Sequence, residues 1–275
     1  MATNLTALGA DATRKAEPWI EGLARAGFVA KAILYFTIGA LASAAALGKG
    51  GGTTDSHGAL AALFHAPFGR LLLGLIALGL VGYAVWRVID GIVDPERRGT
   101  TAKGIALRVG AVVRGLLHLV LAGSAVKLAL TQTSKPHDHH VEWTRKVMSL
   151  PAGKWLVWGI ALGLFGYAAW QLYCAVQAKL AKQLELGKCS PGMRRWLVGI
   201  SRFGLAARGV VFGALAMMLA RAASRFDPKE AGGGGKALRE LFELGRWPFL
   251  AIALGVIAYG VYQLVEARYR RIHIK

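Results

Sequence analysis

Cysteine is almost missing from this chain: Cys174 and Cys189 are the only two in 275 residues. Two thiols cannot build a disulfide framework, which excludes a small cross-linked fold. Cys174 lies in an apolar run and Cys189 in a basic stretch, so both read as unpaired reduced thiols. Acidic residues are scarce too, 15 against 34 Lys and Arg. They fall outside the deepest apolar stretches, and no pair of carboxylates lies within one. Proton-coupled transport needs an ionisable relay at that depth, so this class is disfavoured. Neither H-E-x-x-H nor G-x-S-x-G occurs. The expectation is a non-enzymatic protein with no cofactor. "GGGGKA" at 232–237 imitates a phosphate loop, but no Ser or Thr follows Lys236 and no strand–helix context surrounds it. It reads as a flexible linker, as does "GKGGGTT" at 48–54. The first 25 residues hold no apolar core of a signal peptide, so an uncleaved first span is the expected anchor.

Apolar residues are abundant, at 55% of the chain. That is too many for an ordinary soluble domain. The net charge of +19 could suit nucleic acid, but the cations sit in short clusters between long apolar runs. Anionic lipid and membrane orientation are the better reading, and no nucleic-acid partner is expected. A membrane-crossing helix needs about 20 apolar residues. Six such runs occur, near 26–48, 71–89, 109–130, 155–177, 204–222 and 247–265. Alternate connections hold 21 and 13 of the basic residues. The richer set should face the cytoplasm, with both termini inside; the opposite topology is the alternative, because the margin comes mainly from two loops. Trp143, Trp155 and Trp247 near one set of ends, and Trp19, Trp86, Trp170 and Trp196 near the other, read as aromatic belts.

One phrase is written three times. "GLVGYAVWR" at 79–87 recurs as "GLFGYAAWQ" at 163–171 and "GVIAYGVYQ" at 255–263. Tyr83, Tyr167 and Tyr259 anchor it. A second phrase opens the preceding span: Arg25-x-Gly27 followed by Lys31, Arg108-x-Gly110 followed by Arg114, and Arg202-x-Gly204 followed by Arg208. The period of about 84 to 94 residues makes each unit a two-helix hairpin. Two helices per unit give every copy the same orientation, and parallel repeats are related by an axis along the membrane normal. The expected fold is all-α: a polytopic membrane protein whose six transmembrane helices form three tandem hairpin repeats, pseudo-threefold about that normal. The repeats span 12–95, 96–180 and 190–270 and together make one membrane domain. On the R-x-G-x3-[KR] start and the G-x-x-[GA]-Y-x-x-[WY]-[RQ] finish, the whole chain resembles a bacterial domain-of-unknown-function family of six-helix membrane proteins. The resemblance implies six spans in the bacterial cytoplasmic membrane and carries over no activity, cofactor or catalytic residue.

The repeated small residues are read as packing positions. Gly79, Gly82, Gly163, Gly166 and Gly255 let helix backbones approach closely in lipid. Gly74 and Gly159 belong to the same series. Tyr83, Tyr167 and Tyr259 should tie neighbouring helices through their hydroxyls. The sharpest feature is the trio Lys31, Arg114 and Arg208. Twelve charge-free residues separate Arg114 from Lys127, and twelve separate Arg208 from Arg221. Twelve residues cover about 18 Å, short of a hydrocarbon core of about 30 Å. Some of these cations must therefore lie past the interface, either snorkelling to lipid phosphates or forming a ring on the axis. Arg25, Arg108 and Arg202 complete the basic lipid- or anion-binding rim. Asp90 and Glu266, seven residues after their Tyr, are possible counter-ions for Lys31 or Arg208. Cys174 replaces them in the middle copy, which leaves Arg114 least compensated and His118 beside it. His137, His139 and His140 of "HDHH" are weak metal candidates, at a spacing that fits no metal motif.

Two functions compete. The first is a non-enzymatic bundle that binds anionic lipid or a partner membrane protein through its basic cytoplasmic rim. The second is a channel or transporter for a small anion or polar solute along the pseudo-threefold axis. A metal or redox role rests only on "HDHH", His118 and Cys174.

Overall fold

The computed structural model describes residues 2–94, 99–131, 139–177 and 189–270; of residues 2–20 it describes only one side chain, that of Trp19. Six helices are long and apolar enough to cross a membrane. They are α1 (Ala2–Ala46), α3 (Gly69–Val93), α4 (Ala102–Thr131), α6 (Gly153–Gln177), α7 (Pro191–Arg225) and α9 (Arg246–Tyr269). Of α1, the spanning part is Glu21–Ala46. Among the described residues, three short α-helices lie between spans: α2 (Ser56–Phe64), α5 (His139–Met148) and α8 (Gly234–Glu243).

Local chemistry fixes several of these ends. The Asp55 carboxylate caps α2 by accepting from the backbone N–H groups of His57 and Gly58 at 3.0 and 3.1 Å. Ser190 caps α7, with Pro191 in its first turn. The two glycine-rich stretches are ordered, not flexible linkers. Gly233 is the N-cap of α8, and Lys236 Nζ donates to the Lys229 carbonyl at 2.7 Å. In the other, Gly51 turns the chain at φ +83°, where a Cβ would meet the Leu41 carbonyl oxygen.

The spans make an open ring in the order α4, α3, α1, α9, α7, α6, in contact at each of its five steps. Three of its interfaces join one repeat to the next: α3 with α4, α6 with α7, and α9 with α1. All three use a small residue at one repeat position. A Cβ on Gly115 would lie 2.9 Å from the Ala84 carbonyl oxygen, and one on Gly209 would lie 3.2 Å from that of Ala168. At the third interface the partners swap types, and a Cβ on Gly260 would lie 3.2 Å from the Ala32 carbonyl oxygen.

The same cyclic rule governs the rim arginines. Arg108 Nε donates to the Gly91 carbonyl at 2.9 Å, and Arg202 Nε to that of Ala175 at 2.6 Å. Arg25 donates to the Ala267 carbonyl. Gly91, Ala175 and Ala267 each stand eight residues after their repeat's tyrosine. Each arginine therefore caps the last turn of the preceding repeat's second helix, where carbonyls lack intrahelical partners and a cation is favoured. Three equivalent contacts running r1→r3, r2→r1 and r3→r2 are what a threefold arrangement requires.

The interfaces within repeats are not all made. In the first, a Cβ on Gly27 would lie 2.3 Å from Tyr83 Cβ and 2.7 Å from the Gly79 carbonyl oxygen. In the third, a Cβ on Gly204 would lie 2.4 Å from the Tyr259 nitrogen. In the middle repeat α4 and α6 share no extended contact. Gly110, Gly163 and Gly166 have no atom of another helix within 4 Å of a built Cβ. The middle unit is thus two spans held by their neighbours rather than a packed hairpin. Val113 gives one physical reason, since it stands where the other repeats place Ala30 and Ala207 against Gly79 and Gly255. Gly74 and Gly159 also face open space.

The aromatic belts are mostly as expected, with Trp19, Trp143, Trp155, Trp170, Trp196 and Trp247 exposed. Trp86 departs: it is buried against Phe28 and Tyr83, because the close α1–α3 contact encloses it. Away from the rim arginines the ring is filled by an apolar core that includes Leu34, Ile38, Leu80, Leu121 and Val256.

Candidate functional site

The end of the ring capped by Arg25, Arg108 and Arg202 is called the inner end. There the second helices carry matched polar ladders at i, i+4 and i+7, which share one helix face. They read Tyr83–Arg87–Asp90, Tyr167–Gln171–Cys174 and Tyr259–Gln263–Glu266. Arg87, Asp90, Gln171, Gln263 and Glu266 are all buried. Lys31 from α1 and Arg208 from α7 complete this polar cluster. Each lies six residues past its rim arginine, about 9 Å deeper along the helix.

Both cations meet tyrosine rather than carboxylate. Lys31 Nζ donates to the Tyr83 hydroxyl at 3.2 Å and lies 4.3 Å from that ring's centroid. Arg208 Nη1 donates to the hydroxyls of Tyr259 at 2.7 Å and Tyr167 at 2.9 Å. Its guanidinium also faces the rings of Tyr259 (4.6 Å), Phe212 (5.0 Å) and Tyr35 (5.8 Å). Cation–π contacts of this kind contribute about 2 kcal/mol when desolvated. They do not neutralise a charge.

The counter-ions are engaged elsewhere. Asp90 accepts from Arg87 Nη1 at 3.0 Å, and Arg87 Nε donates to the Tyr83 hydroxyl at 3.0 Å. Glu266 is held by Arg270 and by Gln263 Nε2, the latter at 3.0 Å. The expected pairing of Asp90 or Glu266 with Lys31 or Arg208 is therefore not what forms. The reason is reach: a partner one turn away on the same helix wins over one across the ring. Among the described residues, Lys31 and Arg208 make no salt bridge. Buried donors and acceptors around them are also unpartnered: Arg208 Nε, Gln171 Nε2, Ser201 Oγ and Gln263 Oε1. An unsatisfied buried polar group costs about 1–3 kcal/mol, more when charged.

The trio predicted from sequence does not meet as a ring. Arg114 turns back on its own helix, donating from Nε to the Gly110 carbonyl at 2.9 Å. With α4 and α6 apart, Tyr167 goes to Arg208 of the next repeat instead of to Arg114. His118 packs against Tyr83 with ring centroids 4.7 Å apart, its Nδ1 at 2.7 Å from the Arg114 carbonyl oxygen. Tyr83, Tyr167 and Tyr259 do tie helices together, as do Gly79, Gly82 and Gly255. Gly163 and Gly166 do not. His137 lies outside the described residues, and of His139 and His140 only the helical backbone is described. No group of three metal-ligating side chains occurs among the described residues. Tyr35 and Ser201 were missed by sequence reading, and Gln171 was read only as the finish of the repeated phrase. Tyr35 and Ser201 lie one or two turns from Lys31 and Arg208 on the same helix faces, a periodicity that would have found them.

Three repeats, six spans and a threefold set of cap contacts define a multi-span helical membrane protein built by internal triplication. The family described as Domain of Unknown Function (DUF1206) matches residues 26–94, 109–178 and 203–270. The chain belongs to that family. It is also 30% identical over 259 residues to "Uncharacterized protein YxxB" of Bacillus subtilis (strain 168), covering 94% of both chains. No solved structure matches.

Proposed function

We propose that the protein is a non-catalytic component of the bacterial cytoplasmic membrane, both termini inside, that binds the anionic headgroup of a lipid in the chamber formed by Lys31, Arg208 and the four tyrosines. The observation that carries this reading is a buried Lys31 and a half-buried Arg208 whose hydrogen-bond partners are phenols, not carboxylates. Buried charges are stable only when paired and fully hydrogen-bonded, so the chamber favours an added anion. Phosphate and carboxylate both match a guanidinium beside an ammonium. Lipid is the source because the chamber lies about 9 Å in from the helix-capping arginines and is flanked by the gap between α4 and α6. The rim arginines Arg25, Arg108 and Arg202, engaged in helix capping, support architecture more than lipid capture. A continuous anion path along the axis is less well supported, since Leu and Ile side chains fill the ring beyond the chamber.

Native mass spectrometry from vesicles of phosphatidylcholine with phosphatidylglycerol tests this. Retained phosphatidylglycerol is expected, with a loss of at least tenfold on Arg208→Ala and no loss on Arg145→Ala, an exposed control. Equal retention by all three proteins contradicts the proposal. Retention of inorganic phosphate from pure phosphatidylcholine vesicles, without lipid, would move the source from lipid to free ion.

A further inference from the structure

The ring is closed at five interfaces and open at one, and the open one carries the residues that close its equivalents. Gly27 and Gly204 bring α1 onto α3 and α7 onto α9 with backbone-to-backbone contact. Their counterpart Gly110 faces nothing within 4 Å, and neither do Gly163 and Gly166, the counterparts of Gly79 and Gly82. Tyr83 and Tyr259 are bound by the cation of their own repeat, whereas Tyr167 is bound by Arg208 while Arg114 bonds its own backbone. Trp86 and Tyr262 are buried at the closed interfaces, and Trp170 at the same repeat position is exposed. Most parts of a third closed interface are present, with Val113 in place of the small residue as the exception, and Gly110, Gly163 and Gly166 make no contact in the open state.

We infer that the α4–α6 gap is a closable side door to the chamber. In the closed state α4 meets α6 through Gly110, Gly163 and Gly166, as the other two repeats close. The Tyr167 hydroxyl passes from Arg208 to Arg114, the cation of its own repeat. Arg208 then loses one of its two phenolic partners and presents more of its guanidinium to the chamber. The side chain of Val113 makes this closure less favourable than the other two, which leaves the door free to open. A small difference suffices, because an energy gap of a few kcal/mol keeps both states populated. The door's consequence for an anion rests on the chamber reading above, but closure itself does not.

Closure is read by cross-linking. In the first repeat a Cβ on Gly82 would lie 2.8 Å from Leu23 Cβ. The same positions in the middle repeat are Gly166 and Ala106, both exposed. In the full chain with Cys174→Ala and Cys189→Ser, Ala106→Cys with Gly166→Cys should form an intrachain disulfide under mild oxidation in vesicles of phosphatidylcholine and phosphatidylglycerol. Disulfides need Cβ atoms about 3.5–4.5 Å apart, which only the closed door supplies. Adding Gly110→Leu should abolish the cross-link, since a side chain there blocks closure, while the protein stays monodisperse because Gly110 faces open space. Two free thiols recovered after oxidation overturn the door. A disulfide between chains also overturns it, by assigning the gap to contact between copies. Persistence of the cross-link in Gly110→Leu shows that closure does not use the glycine contact and refutes the proposal. Failure of lipid retention with the cross-link intact would remove the chamber reading and leave the door standing.

Discussion

Asp90→Ala should lower the thermal unfolding midpoint by on the order of 10 °C, and adding Arg87→Leu should restore most of the loss. Arg87 and Asp90 are both buried and joined at 3.0 Å. Removing the carboxylate breaks that buried ion pair, and the guanidinium keeps the Tyr83 hydroxyl and the Trp86 ring, whose centroid is 4.2 Å away. Breaking a buried pair costs about 3–5 kcal/mol, whereas replacing both members with apolar groups is often neutral. At this chain size each kcal/mol moves the midpoint by about 2–4 °C. Tryptophan fluorescence during heating in detergent measures it. A single variant within a degree or two of the parent, or a double variant worse than the single, contradicts the assignment.

Gly27→Ala and Gly204→Ala should each destabilise the protein, while Gly110→Ala should be neutral or slightly stabilising. The three glycines are equivalent by repeat, so sequence alone assigns them one effect. Their surroundings differ. At Gly27 and Gly204 the added methyl lands under 3 Å from backbone or Cβ atoms of the facing helix, and the helices must separate. Overpacking of this kind costs about 1–3 kcal/mol. Separation would also lengthen the bonds from Lys31 to Tyr83 and from Arg208 to Tyr259, so the cost should reach the upper end of that range. At Gly110 the methyl meets no other helix, and Ala is better than Gly in a helix by about 0.5–1 kcal/mol. The same unfolding assay separates the cases. Equal losses at all three positions would mean that α4 and α6 pack in the resting protein.

Much of this architecture was legible in the sequence, because triplication writes each rule more than once. The six spans follow from apolar length, and the close contacts of Gly79, Gly82 and Gly255 follow from their spacing. The cap role of Arg25, Arg108 and Arg202 was not legible, since it depends on which helix end the next repeat brings near. The open door was hidden for the same reason. Gly110, Gly163 and Gly166 spell the same contact as Gly27, Gly79 and Gly82, and a sequence pattern records the capacity to pack, not the state occupied. The partner of Asp90 was misread because the competing cation, Arg87, stands only three residues away on its own helix. The short helices α2 and α8 begin within or beside glycine-rich stretches, and their order comes from the Asp55 cap and the Lys236 bonds to carbonyls.

The central claim is that Lys31 and Arg208 share an anion in a tyrosine-lined chamber. Diffraction from lipid-grown crystals soaked in bromide, which scatters anomalously, tests it most directly. An anomalous peak within hydrogen-bonding distance of Arg208 Nε or Lys31 Nζ is expected, and it should disappear in Arg208→Ala. A chamber without such a peak, in which Glu266 has left Arg270 to pair with Lys31 or Arg208, would contradict it.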